Sequence, residues 1–234
     1  MGHRQAVGRG GLGDAAVPFP IGDRATGDEV LRGLLDFAAG ALGVATGHQV
    51  DGRPVALRGC LRGTGPGVSF GRAIESLERE CPLELCFPFE GSDRVGGAVW
   101  EVAGESGAVA KLRWKAGADD LPIHAHEHSD RVIIVLEGRG FFHSTSQSLQ
   151  EFDGSTVCTI AARERDVFVF TRGLLHTFST DQSDMTLISC QMPFVPFEAE
   201  EQFTLPGVRW SGARGREGVC SAAVKAVGWH LLAH

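Results

Sequence analysis

Between residues 97 and 193 the chain alternates short apolar runs with polar turns. Runs at 99–103 and 108–114 flank Gly104-Glu105-Ser106-Gly107, which reads as a hairpin. Further strands are expected at 131–136, 140–144, 155–160, 166–170, 176–180 and 185–192. Turns are expected at Glu137-Gly138, Asp153-Gly154 and Arg172-Gly173. Many short strands at close spacing predict an antiparallel sandwich or barrel. Upstream the period changes. Thr26-Gly27-Asp28-Glu29 has the form of a capping box, and Leu31, Leu34, Leu35, Phe37, Ala38 and Leu42 then follow helical spacing, with Gly40 and Gly43 near the end. A second helix is expected over about 69–80, stopped by Pro82, and a last one over 217–231.

The fold class is therefore mainly β. A Gly- and Arg-rich arm covers 1–25, a helical region 26–96 packs on the barrel, the barrel itself covers 97–193, and a C-terminal extension with a tail or helix covers 194–234. In the arm, Gly8, Gly10 and Gly13 match GxGxxG, but no strand precedes them, so they carry no dinucleotide signal.

Composition narrows the function. A chain of 234 residues with 43% hydrophobic content can bury a sizeable core. A net charge of -7 without a basic cluster argues against a nucleic-acid surface. The N-terminus lacks the apolar core of a signal peptide, and Lys225 interrupts the short apolar stretch near the C-terminus, so no membrane span and a cytoplasmic location are expected. The 6 cysteines form no CxxC pair and are expected to be free thiols.

The chemistry gathers on histidines. His124 and His126 sit two apart in LPIHAHEHSDRVIIVLEGRG, and His176 follows in RDVFVFTRGLLHTFST. Side chains two apart on a strand share a face, so His124 and His126 can reach one metal while His176 closes the set from a neighbouring strand. Neutral imidazole suits iron, nickel, copper and zinc. His128 shares that face if the strand runs on, and reads as a rim residue able to orient substrate. His143, on the strand after Gly140, is a candidate base near the metal. Arg131 is a candidate anchor for a substrate carboxylate. Inward members of the set Phe141, Phe142, Phe168, Phe170 and Phe178 would make the pocket apolar.

These segments resemble the two motifs of the cupin superfamily. The first, G-x5-H-x-H-x(3,4)-E-x6-G, is met by Gly117 with one extra residue, His124-Ala125-His126, and Gly138 after VIIVLE. The second, G-x5-P-x-G-x2-H-x3-N, is met by Gly173-Leu174-Leu175-His176, with Arg165, Thr171 and Thr180 at the Gly, Pro and Asn positions. The resemblance implies a double-stranded jelly-roll barrel over 97–193 with His124, His126 and His176 as metal ligands. Its usual glutamate falls on Arg131, which cannot bind a metal. Asp130 could take that place only through a bulge. A three-histidine site is therefore favoured over one completed by Asp130.

Three neutral ligands leave the full charge of a divalent ion uncancelled and several positions open, which suits an anionic substrate. The leading expectation is an Fe(II) dioxygenase-like oxidoreductase acting on a small organic molecule. Zn(II), Ni(II) or Mn(II) are alternatives, and the rival function is a non-catalytic sensor of a small ligand or metal. A metal-free isomerase would not need all three histidines. The resemblance also implies a homodimer.

Overall fold

The computed structural model describes residues 27–47, 49, 53–62, 87–88, 92–101, 104–196, 199–213 and 225–230. The expected arm at 1–25 and the expected helix at 69–80 lie outside them. Among these residues one α-helix, α1 (Gly27–Thr46), precedes ten strands: β1 (Ala56–Arg62), β2 (Phe87–Pro88), β3 (Val95–Glu101), β4 (Ala108–Trp114), β5 (Asp130–Thr145), β6 (Cys158–Arg163), β7 (Asp166–Phe170), β8 (Leu175–Ser179), β9 (Met185–Met192) and β10 (Lys225–His230). A single hydrogen-bonded path runs β10-β1-β7-β5-β9-β4-β3-β2, and β6 and β8 branch from it onto β5. This is a jelly-roll arrangement whose path stays open among the described residues. No helix among them is long and apolar enough to cross a membrane.

β5 organises the molecule. The sequence reads as two strands with a turn at Glu137-Gly138, but the backbone is one long bent strand. Its first half pairs with β7 and β9, and its second half with β6 and β8. The bend is a register shift between Val135 and Glu137, a β-bulge. Gly138 follows it at φ 79°, and a Cβ there would collide with the Asp184 carbonyl. A glycine with positive φ reads as a turn from sequence, whereas here it lets one strand serve two sheets.

Strand alternation divides the core. Val132, Ile134, Val167, Val169, Ile188 and Cys190 face outward beneath α1, which docks Leu31, Leu34, Leu35, Ala38, Ala41, Leu42 and Ala45 on them. Ile133, Val135, Phe142, Phe168, Phe170 and Phe178 face inward with Trp114. Helix α1 therefore covers the outer sheet face. It also runs past Gly40 and Gly43, which lie on its exposed side. Each glycine costs about 1 kcal/mol against alanine. Burial of Ala41, Leu42 and Ala45 around them outweighs that, since a buried leucine alone contributes roughly 1.5–3 kcal/mol.

Two further elements differ from the sequence reading. The region 26–96 supplies a barrel strand, β1, paired with β7. Residues 225–230, expected within a last helix, form β10 parallel to β1. Val227, Gly228 and Trp229 suit an extended edge better than a helix.

The β6–β7 hairpin carries a local cost. Arg165, where the second motif has glycine, adopts φ 70°. Its amide donates to the Val135 carbonyl at 2.9 Å, which holds it there. A left-handed conformation costs a non-glycine residue about 1–2 kcal/mol. Arg165→Gly is expected to raise the unfolding free energy by roughly 0.5–1 kcal/mol, after the added unfolded-state entropy of glycine is subtracted. Urea melts of both proteins check this.

Candidate metal centre

His124 and His126 lie in the extended segment entering β5, and His176 lies in β8. The segment is held by single antiparallel bridges, Pro122 to Ser211, His124 to His176 and Ala125 to Thr204. The His124 and His176 backbones exchange two hydrogen bonds, at 3.0 and 2.9 Å. Alternation survives without a full ladder. Ile123 and Ala125 are buried in a separate cluster with Phe152, Leu175 and Trp210, while the histidines point into the barrel.

The three rings converge. Their centroids stand 5.0 Å apart for His124 and His126, 4.7 Å for His124 and His176, and 5.3 Å for His126 and His176. One ring nitrogen from each lies within 4.8 Å of the other two, a spacing one ion can bridge. Every Nδ1 faces a backbone carbonyl: Pro122 at 3.0 Å, Gln202 at 2.5 Å and Leu174 at 2.9 Å for His124, His126 and His176 respectively. A carbonyl only accepts, so each Nδ1 carries the proton and donates, and each Nε2 keeps its lone pair. The Arg131 guanidinium also stands 3.0 Å from the His126 Nδ1. Both are donors in that tautomer, so the closer Gln202 carbonyl sets the proton's place and Arg131 opposes protonation of the ring.

Electrostatics favour the ligating form. Burial, with Arg131 adding to it, lowers the His124 pKa to about 4 against the hydrogen bond that the ring donates to the Pro122 carbonyl. Burial first, then Arg131 and the neighbouring histidines, holds His126 well below its ordinary value, and burial with His124 does the same for His176. All three imidazoles are neutral at pH 7, as a metal requires. The donor set therefore fits a divalent ion.

The other predicted residues separate. Arg131, only 2% exposed, faces inward and lines the same pocket. It donates to the Ser129 hydroxyl and, at 3.4 Å, to Gln202 Oε1. Asp130 points the other way. Its carboxylate takes the Arg172 backbone amide at 2.7 Å and the Arg172 guanidinium at 2.8 Å. It stands outside the histidine group, as alternation on a regular strand requires. His128 is exposed in the loop before β5 and does not line the pocket.

His143 is also outside the pocket, and it is neither near the metal group nor exposed. It is 1% exposed on the outer side of β5, opposite in direction to Phe142. Its nitrogens meet the Thr159 hydroxyl at 2.8 Å and the Ser179 hydroxyl at 2.7 Å, and the Trp210 ring packs at 5.1 Å. Gly212 closes over it, and a Cβ there would collide with Ser179. Burial lowers its pKa to about 4, so the unfolded chain takes the proton first as pH falls. The stability this residue contributes is present above pH 6.5 and is lost between 6.5 and about 4. Stability is expected to fall between pH 7 and 5 by about 2 kcal/mol more in the wild type than in His143→Gln. Denaturant melts of the metal-free proteins at both pH values measure the difference.

The pocket also takes Leu112, Trp114, Ile133, Ser189, Gln191, Gln202 and Phe203, none of which the sequence reading assigned to a site. Gln191 had a signal: the inward positions of β9 read Met185, Leu187, Ser189, Gln191, a polar end on an apolar strand. Gln202 had none, since it arrives on a short 3-10 turn (Glu200–Gln202) beyond the barrel.

A bent jelly-roll with three inward histidines on its sheet presents a candidate metal centre. The Cupin family model matches residues 102–192, the stretch that holds the three histidines. No curated protein matches the chain. Similar solved structures include the Schizosaccharomyces pombe Cnp3 cupin domain, at 16% identity and TM-score 0.35 over 42% of this chain and 61% of that one. An oxalate oxidase in complex with the substrate analogue glycolate aligns at 20% identity and TM-score 0.32 over 40% of this chain and 46% of that one. A putative ethanolamine utilization protein from Salmonella typhimurium aligns at 20% identity and TM-score 0.36, over 46% of this chain and 78% of that one. The chain thus spans less than two thirds of the length of the first two.

Proposed function

We propose that the protein is a metal-dependent cupin acting on a small organic molecule, with iron(II) chemistry of the dioxygenase type. The observation that carries this reading is the convergence of three neutral histidines whose Nδ1 protons are all committed to backbone carbonyls. Iron(II) held there would supply Lewis acidity and redox chemistry toward dioxygen, with positions left open for substrate. Zinc, nickel or manganese in the same place would supply Lewis acidity.

The chain's own residues orient and enclose. Arg131 presents a cation beside the histidines. Leu112, Ile133, Phe170 and Phe178 exclude water from the space in front of them. The described lining residues include no carboxylate and no lysine. Proton transfer therefore has few carriers, which favours chemistry centred on the metal over acid–base isomerisation. The same scarcity supports a second reading, a cupin that binds a ligand and does not turn it over.

Metal analysis of protein purified without tag or chelator, followed by an oxygen-consumption screen of thiols, enols and diketones, tests this. Near-stoichiometric iron with oxygen uptake supports the oxygenase. Metal and ligand binding without uptake supports the sensor.

A further inference from the structure

Two buried polar atoms among the described residues have no hydrogen-bond partner, the Trp114 indole Nε1 and the Gln191 Oε1. Both residues line the histidine pocket. An unpaired buried donor or acceptor costs about 1–3 kcal/mol, and native proteins leave few of them. Two in one pocket, of opposite kind, point to a ligand that completes them.

Their places say which part of a ligand each one meets. On the β4–β9 pair, Trp114 stands opposite Met185 and Ala108 opposite Gln191. Trp114 and Gln191 are therefore separated along the sheet by the six-residue step from Met185 to Gln191, on the order of 20 Å between backbone positions. They line different stretches of the pocket wall. Gln191 is also registered directly against Arg131 on β5. One stretch accordingly offers a guanidinium with a carbonyl oxygen beside it, and the other an N–H. Between them the walls are apolar and aromatic: Leu112, Ile133, Phe170 and Phe178.

Arg131 brings a further demand. Among the described residues it donates to Ser129, Gln202 and the Asp130 backbone carbonyl, and no carboxylate pairs with it. The one acid next to it in sequence is engaged by Arg172. A buried cation without a carboxylate partner calls for an anion.

We propose that the pocket takes a small organic acid with an apolar body and polar groups at both ends, and that Gln191 and Trp114 select it. The carboxylate pairs with Arg131, a hydroxyl or amine beside the carboxylate donates to Gln191 Oε1, and an acceptor at the far end receives the Trp114 N–H. This rests on the metal-pocket reading above and specifies its substrate class.

Calorimetric titration of the zinc-loaded full chain tests it, with the metal-free chain titrated alongside and metal content measured on each sample. The probes are 3-(4-hydroxyphenyl)lactate, 3-phenyllactate, which lacks the far hydroxyl, and 3-(4-hydroxyphenyl)propionate, which lacks the hydroxyl beside the acid. In the wild type each deletion is expected to weaken binding about 5- to 30-fold, the worth of one buried hydrogen bond. Trp114→Phe should erase the penalty for the far hydroxyl alone, and Gln191→Leu the penalty for the near hydroxyl alone. The comparison of the three acids on the wild type stands even where a variant fails to fold. Equal affinity for all three, penalties that persist in both variants, or zinc held stoichiometrically with no acid bound would each overturn the proposal while leaving the metal site intact. Absence of zinc from a chain that still shows the matched penalties would overturn the metal reading and keep the ligand assignment.

Discussion

Replacing His176 with alanine is expected to empty the metal centre while the barrel stays folded. Disrupting a group that only supports a metal ligand costs 10–100-fold in affinity. Losing one of three ligands should exceed that, so His176→Ala should fall from near-stoichiometric metal to below about a tenth of an equivalent after dialysis. His176 sits on β8 with its backbone exchanging two hydrogen bonds with His124, and alanine keeps both. The ring is packed 4.1 Å from Phe170, so its removal leaves a cavity and a stability loss of about 1–3 kcal/mol. Metal analysis with a thermal melt separates the two effects. Retained metal in a folded variant would mean that the ion is held elsewhere.

Arg131→Met is expected to move stability and function in opposite directions. The guanidinium is buried without a carboxylate partner among the described residues, and burial lowers its pKa to about 9 against the pull of Asp130. The folded state bears a charge it would shed more readily than the unfolded chain. An isosteric apolar side chain removes that cost, and the unfolding free energy should rise on the order of 1–3 kcal/mol, with Ser129 and Gln202 left to repair their hydrogen bonds. Charge-assisted hydrogen bonds contribute about 1.5–3 kcal/mol each, so affinity for a carboxylate ligand such as 3-phenyllactate should drop roughly 100-fold. Zinc content should hold, because Arg131 donates no lone pair. Parallel melts, titrations and metal analyses check all three. Loss of stability with unchanged affinity would make Arg131 a structural residue.

Much of the fold was legible because burial on one or both faces leaves a plain pattern. Strand β7 is the run Asp-Val-Phe-Val-Phe, and β9 occupies the predicted span. The histidines were legible for the same reason, since a two-residue spacing on extended backbone fixes a shared face. The failures have physical causes. Gly138 serves a bulge that resembles a turn when only local propensity is read. His143 sits one residue from Phe142, and a phase error of one strand position exchanges the pocket for the outer face. Strand β1 is diluted by Arg58, Gly59 and Arg62, which break the apolar alternation. Gln202 enters from a loop beyond the barrel, and no local pattern announces a residue whose role depends on long-range closure. Arg131 was the instructive case. The same alternation that denied it a ligand role placed it inward beside the histidines and sent Asp130 out to Arg172.

X-ray absorption spectroscopy of the zinc-reconstituted protein reads the ligands of the three-histidine centre itself. Three imidazole ligands at about 2.0–2.1 Å are expected, with the remaining coordination from water or added acid and an unchanged spectrum in Asp130→Asn. Fewer than three imidazoles, or a carboxylate shell lost in Asp130→Asn, would contradict a three-histidine site.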